Sequence, residues 1–199
     1  LGVGYGSTDK VILSAGISQD NIFGSGNTLS FNVNTSKRNR AMVLSHTDPY
    51  WTDDGISKTT SIYYRRTEPY DASDSWGDYQ ITSYGAGLNF GVPITEYDRI
   101  FSGISFEHNR LSRLSNDTPR AYRDFVSEYG EGTNSVVFNI GWSKDTRDSA
   151  LVPTKGSYTR LAADFSTMDL RYYMLHAQHQ HYIPLGRSYT LAVNAMADW

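Results

Sequence analysis

Three histidines near the end of the chain come closest, in type and spacing, to a metal site: His176, His179 and His181. Imidazole nitrogens are good zinc ligands, but a site needs several of them to converge on one point. The surrounding segment alternates like a β-strand, in which successive side chains point to opposite faces. His179 and His181 would therefore share one face while His176 lies on the other. The spacing favours a strand with separate histidines, and we predict no metal site.

A charged connector offers a second candidate for chemistry. It holds Asp145, Arg147 and Asp148, which could be drawn as an acid–base group, together with Pro153 and Gly156. Proline and glycine are turn residues, and Asp side chains commonly accept hydrogen bonds from the backbone of a turn. A solvated Asp–Arg pair contributes little stability. We therefore predict turn hydrogen bonds and a solvated ion pair here, not a catalytic group.

No other arrangement of nucleophile and base stands out in the sequence. The G-x-S-x-G pattern of a hydrolase nucleophile is missing, and the chain has no cysteine. We predict that the protein has no catalytic residues, uses no cofactor and is not an enzyme. A lipase or protease built on a barrel is the enzymatic alternative, and it would require a nucleophile–base pair in the lumen or at the rim.

Residues 136–165 indicate which elements carry these side chains. Val136, Phe138, Ile140 and Trp142 alternate with smaller or polar residues, and a similar alternation resumes at residues 158–165. A period of two residues is typical of strands with one apolar face. The stretch therefore predicts two antiparallel strands joined by the charged connector.

The same alternation recurs along the whole chain, interrupted by breaks rich in Gly, Pro, Asn and Asp. We predict about eleven strands and no long helix. The longest breaks are an acidic tip at residues 68–78 and a polar stretch at residues 112–134, with a helical turn near residues 122–129. The fold class is all-β.

Composition excludes some partners. The 199 residues carry a formal net charge of -3 and no basic run, so we predict no nucleic-acid partner. No apolar run approaches the roughly 18–20 residues that a membrane-spanning helix needs. The mean hydropathy of -0.49 is compatible with a membrane barrel, because only alternate residues of such a barrel face lipid.

The face opposite the apolar residues distinguishes a transmembrane β-barrel from a soluble β-sandwich. It is largely Gly, Ser and Asn, whereas the exterior of a sandwich would be rich in Lys, Glu and Thr. The predicted strands, mostly about ten to fourteen residues, suit the ~9–11 residues that a tilted strand needs to cross a bilayer. Short turns alternate with longer polar tips, as in bacterial outer-membrane barrels. An aromatic girdle would sit beside the short turns, where the sequence has Tyr50, Trp51, Tyr97 and Tyr182. We predict a transmembrane antiparallel up-and-down β-barrel.

Six segments of the chain resemble the BamA family of outer-membrane protein assembly factors, in family order and at family spacing. They are LGVGYG (residues 1–6), SQDNIFGSGN (18–27), TDPYWTDDGIS (47–57), VPITEYDR (92–99), DTRDSALVPTKGS (145–157) and YYMLHAQHQHYIPL (172–185). The resemblance implies a sixteen-stranded barrel preceded by periplasmic domains. Residues 1–199 would be the N-terminal part of the barrel domain, about its first eleven strands, without the periplasmic domains and the last strands. The family's Val-Arg-Gly-aromatic signature does not occur in this sequence.

The resemblance also implies a function and its location. A BamA-like protein inserts client β-barrels into the bacterial outer membrane by opening a lateral gate and pairing its first strand with a client strand. The residues that match this strand are Leu1, Gly2, Val3, Gly4, Tyr5 and Gly6. Main-chain pairing at a glycine-rich edge tolerates many client sequences; a strand start that is merely flexible is the alternative. The residues Asp145, Arg147, Asp148, Pro153 and Gly156 would form a periplasmic turn that carries the family motif.

Partners follow from the same resemblance. They are client outer-membrane β-barrel proteins, membrane lipid, the lipoproteins of an assembly complex and periplasmic chaperones. A related barrel that assembles autotransporters, or translocates a passenger across the outer membrane, is the alternative function.

Overall fold

The chain forms one antiparallel sheet of eleven strands, each paired with its neighbours in sequence. This computed structural model describes residues 1–6, 10–68, 79–112, 114, 118–186 and 189–199. The strands are β1 (Gly2–Gly6), β2 (Lys10–Gln19), β3 (Thr28–Thr35), β4 (Asn39–Asp48), β5 (Ser57–Thr67), β6 (Gln80–Pro93), β7 (Asp98–Ser112), β8 (Gly132–Asp145), β9 (Gly156–Met168), β10 (Tyr172–Pro184) and β11 (Thr190–Asp198). The all-β prediction, the number of strands and the hairpin at residues 136–165 are confirmed.

One face of the sheet, here called the apolar face, consists of rows of apolar side chains that are direct cross-strand partners. One row runs from β6 to β10 through Leu88, Ile104, Phe138, Phe165 and Tyr173. Cross-strand pairs of large apolar side chains stabilise a sheet and fix its register. Yet these side chains remain exposed, Phe138 by 45% and Phe165 by 48%. No second layer of the described residues covers this row.

The scarcity of a buried core excludes the β-sandwich. Among the described residues, Leu111 is the only hydrophobic residue that is buried. A sandwich buries the facing side chains of two sheets against each other. The apolar face must therefore meet an apolar environment outside the chain.

The opposite face, here called the polar face, carries hydrogen-bonded side chains between glycines. The Tyr63 hydroxyl donates to Glu107 at 2.6 Å, and the Asn139 amide donates to Asn89 at 3.4 Å. Gly141 lies beneath the Phe101 ring, so closely that a Cβ at this position would lie 2.2 Å from the ring. The absence of a side chain at such points lets the larger groups of neighbouring strands lie across the sheet.

The connections divide between two ends of the sheet. The turn end has the connectors at residues 20–27, 49–56, 94–97, 146–155 and 185–189, and the loop end has those at residues 7–9, 36–38, 68–79, 113–131 and 169–171. The prediction that short and long connectors alternate is only partly right. The two longest connectors are at the loop end, but the three others at that end are shorter than every connector at the turn end. Much of the predicted acidic tip, residues 69–78, lies outside the described residues.

The predicted helical turn is a longer element. Helix α1 spans Arg120–Tyr129 within the loop-end connector between β7 and β8, and Gly130 follows it with φ +82°. Within the described part of the chain, no helix is long and apolar enough to cross a membrane.

The aromatic girdle at the turn end is confirmed for Trp51 and wrong for Tyr182. The Trp51 ring lies 5.4 Å from that of Phe90, on the apolar face, and beneath the Lys58 ammonium group. Tyr50 and Tyr97 are exposed beside the same end. Tyr182 lies on the polar face instead, where its hydroxyl donates to Gln180 at 3.2 Å. Tyr182 is an even number of residues from His176 and Gln180 in β10, so its side chain points to the same face as theirs. The distance of a residue from the nearest turn does not indicate which face it occupies.

Candidate functional site

The first strand pairs along one side only. Residues Gly2 to Gly6 face Ser14 to Lys10 of β2, and no strand of the described residues pairs with the other side of β1. The other side of β1 therefore presents backbone N–H and C=O groups without a ladder partner among the described residues. Such an edge is a template for another extended segment.

The side chains of β1 are divided sharply between the two faces. Val3 and Tyr5 share the apolar face with their β2 partners Leu13 and Val11 and are exposed by 72% and 74%, while Leu1 precedes the strand and is fully exposed. The glycines lie on the polar face beside Ser14, Ile12 and Lys10. A Cβ added at Gly2 or Gly4 would meet no atom nearer than 3.8 Å and 3.9 Å, respectively. Local packing therefore does not require glycine here, and what these residues provide is a bare backbone.

A shallow cavity of about 330 Å³ adjoins the edge on the polar face. Gly2, Ser14, Gly16, Asn32 and Asn34 contribute to its lining. The lining combines small side chains with amide groups and carries no charge. It offers space next to β1 but no group that could activate a substrate.

The turn at residues 146–155 is held by its own acidic side chains. Asp145 accepts two hydrogen bonds from the Arg147 guanidinium, at 2.9 and 2.7 Å, and a third from the Arg147 backbone N–H at 3.1 Å. The guanidinium also lies 5.0 Å from the centre of the Tyr158 ring. The hydrogen bond to Asp145 is the main cause that raises the pKa of Arg147. The pair orders the entry to the turn.

Asp148 closes the same turn. Its carboxylate accepts hydrogen bonds from the backbone N–H groups of Thr154 and Lys155, at 2.8 and 3.2 Å, and from the Thr154 hydroxyl. Hydrogen bonds from Thr154 lower the pKa of Asp148 to about 2. Half-buried Pro153 precedes Thr154, and Gly156 follows with φ +100°. The five residues singled out in this connector thus form one compact turn.

A backbone contact joins this turn to its neighbour. The Asp145 N–H donates to the Tyr97 carbonyl oxygen at 2.9 Å, which connects the end of β8 to the turn between β6 and β7. Two of the segments that resemble the family, residues 92–99 and 145–157, therefore meet at the turn end. Nothing in this contact resembles a catalytic arrangement, because the polar atoms are occupied by structural hydrogen bonds.

The histidines are distributed as predicted. His179 and His181 lie on the apolar face with ring centres 6.2 Å apart, and His179 contacts the Thr159 hydroxyl at 2.9 Å. His176 lies on the polar face. Among the described residues, no group of three or more His, Asp or Glu side chains is arranged to hold a metal ion.

The sequence reasoning missed the partners of His176. Its Nδ1 lies 2.6 Å from an Asp198 oxygen and its Nε2 lies 3.2 Å from an Asp164 oxygen, so one imidazole bridges β9, β10 and β11. A cavity of about 450 Å³ adjoins this bridge. Its lining in the described chain contains no Ser, Thr or Cys that the imidazole could activate. Only the register of the paired strands brings these residues together. Their spacing along the chain does not indicate that they are in contact.

Comparison with known proteins gives a consistent result. The pattern of the Omp85 superfamily domain matches residues 21–198. The chain is 35% identical over 201 residues to the outer membrane protein assembly factor BamA of Neisseria meningitidis serogroup B, an alignment covering 96% of this chain and 25% of that protein. It is 26% identical to BamA of Nitratidesulfovibrio vulgaris, over 82% of this chain and 19% of that protein.

A solved structure shares the arrangement of strands. It is BamA from Haemophilus ducreyi lacking POTRA domains 1-3, with a TM-score of 0.81 and 25% sequence identity over 99% of this chain. The chain covers 40% of that structure and at most a quarter of the two assembly factors. The eleven strands thus correspond to part of a barrel.

Proposed function

The chain belongs to the Omp85 superfamily, and from this premise we propose that it is part of an insertase that folds client β-barrel proteins into the outer membrane. The comparisons confirm the resemblance to BamA, and the outer membrane is the location of this family. The apolar face is accordingly the surface that meets lipid. The insertion activity, its clients and its mechanism are our proposal for this chain.

The observation that carries the proposal is the composition of the outermost described strand, β1, whose glycines leave its backbone bare on the polar face. A client strand would add to the outer edge of this strand through main-chain hydrogen bonds, which read backbone geometry and tolerate different side chains. The bare glycines on the polar face and the exposed Val3 and Tyr5 on the apolar face suit a client strand whose two faces are divided in the same way. Lateral opening of the gate next to β1 would expose this edge. No covalent step is needed.

We also propose an orientation. The loop end carries the two longest connectors, which is the arrangement of extracellular loops in outer-membrane barrels. The turn end would then face the periplasm, and the turn at residues 146–155 would be a periplasmic turn that carries the family motif. Its compact hydrogen bonding and its link to Tyr97 provide an ordered surface on that side. The lipoproteins of an assembly complex and periplasmic chaperones are partners that would approach from there.

The proposal is tested by disulfide trapping of a client during insertion. The described chain has no cysteine, so a single one can be placed at the edge. Gly4→Cys puts a thiol on β1, and Ser14→Cys puts one on the same face of β2, next to β1. Each variant is produced in the complete protein with a client that carries a cysteine at successive positions of its C-terminal strand.

Templating predicts that Gly4→Cys forms a disulfide at one register of the client strand. The matched Ser14→Cys variant should form none, because both sides of that position already have strand neighbours. Equal trapping at both positions, or none at Gly4→Cys with an actively inserted client, would contradict edge templating. Trapping of a translocating passenger in place of the client strand would favour the autotransporter alternative.

A further inference from the structure

Three arginines form a row along the loop-end border of the apolar face. Arg40 of β4 is the direct cross-strand partner of Arg66 of β5, and Arg66 is followed in the same row by Thr82 of β6 and Arg110 of β7. We call these three residues the arginine row. They lie one step beyond Tyr64, Tyr84 and His108, which also face outward. The row thus stands where the apolar band ends.

The partner of Arg40 is unusual because it carries the same charge. Like charges directly opposite each other destabilise a sheet unless something compensates them. Arg66 is paired with Glu68, and Arg110 lies 3.3 Å from Glu131, in a pair that is exposed on both sides. Arg40 is exposed, and no carboxylate among the described residues pairs with it. Each guanidinium has five N–H donors, more than one carboxylate can occupy.

The turn-end border of the same face shows the contrast. Its two lysines each face an acid in register: Lys58 is opposite Asp48, and Lys144 is opposite Asp98, with 3.9 Å between the charged atoms. Lys144 is within ion-pair distance of its cross-strand acid, and the Lys58 ammonium lies over the Trp51 ring. The arginines of the loop-end border have another arginine, a threonine or a glycine in register, and Glu68 and Glu131 pair with two of them from outside these ladder positions. Within the described residues Arg40 has no carboxylate of its own, so this border has room for a further anion.

A cavity lies beside the row on the apolar face. It has a volume of about 440 Å³ and is lined in part by Tyr64, Tyr84, His108 and Arg110. The ring centres of Tyr84 and His108 are 4.8 Å apart, and His108 is hydrogen-bonded to Asn134. Aromatic side chains with a polar end suit the boundary between lipid chains and headgroups. The cavity thus combines aromatic rings with the polar side chains of Gln80, Thr82 and Ser112 and has the Arg110 guanidinium in its lining.

We propose that the arginine row and this cavity bind the phosphate-bearing headgroup of a membrane lipid. Guanidinium groups bind phosphate through paired, charge-assisted hydrogen bonds. Arg40 and Arg110 are three strands apart, so roughly 14 Å separates the two ends of the row. That separation suits a headgroup with two phosphates. The acyl chains of the lipid would extend along the apolar face towards the turn end.

The proposal is tested by native mass spectrometry, which measures the binding of bisphosphorylated lipid A to the complete protein. The protein is purified in a neutral detergent. The variant Arg40→Gln/Arg110→Gln removes two charges of the row and leaves the Arg66–Glu68 pair intact. The control variant Lys58→Gln/Lys144→Gln removes two charges from the other border of the same face. We expect the arginine variant to lose about 25-fold in affinity, at about fivefold per residue, and the lysine variant to change little. A heat-dependent shift in electrophoretic mobility verifies that both variants are folded.

Two further probes separate the sources of the anion. Lipid A without its phosphates keeps the acyl chains, and inorganic phosphate keeps the anion. We expect dephosphorylated lipid A to bind weakly. We expect inorganic phosphate not to compete effectively with bisphosphorylated lipid A for the protein. Equal losses in the two variants would overturn it, as would undiminished binding of the dephosphorylated lipid, which would indicate an apolar contact only. Full competition by inorganic phosphate would overturn the assignment to a lipid.

Discussion

The backbone of Gly156 lies against the carbonyl oxygen of Thr146, so that a Cβ at Gly156 would come within 2.2 Å of this oxygen. The φ angle of Gly156 is +100°, a conformation that L side chains rarely adopt. Steric contact and backbone conformation thus both require glycine at the point where the connector becomes β9. The turn that carries the resemblance to the family depends on this residue.

The substitution Gly156→Ala should therefore destabilise the protein. The backbone conformation alone accounts for about 1–3 kcal/mol, and the contact with Thr146 adds to it. Unfolding by urea in lipid vesicles measures the loss. Gly4→Ala is the control, since its Cβ would meet nothing nearer than 3.9 Å, and it should shift stability by less than about 1 kcal/mol. Equal losses in the two variants would show that the turn geometry has no special role.

The turn should lose order only in strong acid. The pKa of Asp148 is lowered to about 2 by its hydrogen bonds with Thr154, against about 3.9 for an unfolded Asp. A lowered pKa in the folded state means that the stabilisation is complete above about pH 4 and disappears as the pH falls through about 2. Hydrogen exchange of the Lys155 amide, which donates to Asp148, should follow this course. In Asp148→Asn, protection should lack this pH dependence, and a wild-type midpoint near pH 4 would refute the lowered pKa.

The proposed orientation predicts opposite labelling of the two ends in intact cells. Leu151, at the tip of the turn, is exposed by 94%, and Glu128 is an exposed residue of helix α1 at the loop end. A membrane-impermeant maleimide should label Glu128→Cys in whole cells, and Leu151→Cys only after the outer membrane is permeabilised. Labelling of Leu151→Cys in intact cells, with Glu128→Cys protected, would reverse the orientation.

Locking the edge of β1 should stop client insertion. A disulfide between Val3→Cys and a cysteine in the last strand of the complete barrel would keep a client strand from the edge. We expect growth to stop and to resume on reduction. A disulfide between Ala15→Cys and Val33→Cys is the control, because these residues are already cross-strand partners in β2 and β3. Normal growth with the edge lock fully formed would refute the proposed mechanism.

The sequence correctly predicted those features of the fold that depend only on the alternation of side chains along one strand. The period of two residues from Val136 to Trp142 identified β8 and its apolar face, because a strand side chain has only two directions. The same reasoning placed His176 opposite His179 and His181. It also predicted the helical turn in the connector after β7, although α1 begins earlier, at Arg120.

The contacts that the sequence did not predict depend on the register in which neighbouring strands pair. The bridge from His176 to Asp164 and Asp198 and the facing pair Arg40 and Arg66 arise because three-dimensional pairing aligns distant positions. A shift of one residue in either ladder would separate them. Tyr182 was misplaced for a related reason, since distance to a turn does not give the face. The edge of β1 lies between these cases: its residues matched a family, but its role is a prediction that only an experiment with a client can test.

The pairing of every strand with its neighbours in sequence also bears on how this sheet can form. Each ladder closes a single hairpin, so even the longest loop closure involves only the 19 residues between β7 and β8. The entropy of closing a loop rises slowly with its length, and local pairings form faster than distant ones. The sheet can therefore grow by one hairpin at a time while it enters lipid. Each new strand then covers the exposed edge of the strand before it, so at each stage the open edges are the growing one and the outer side of β1.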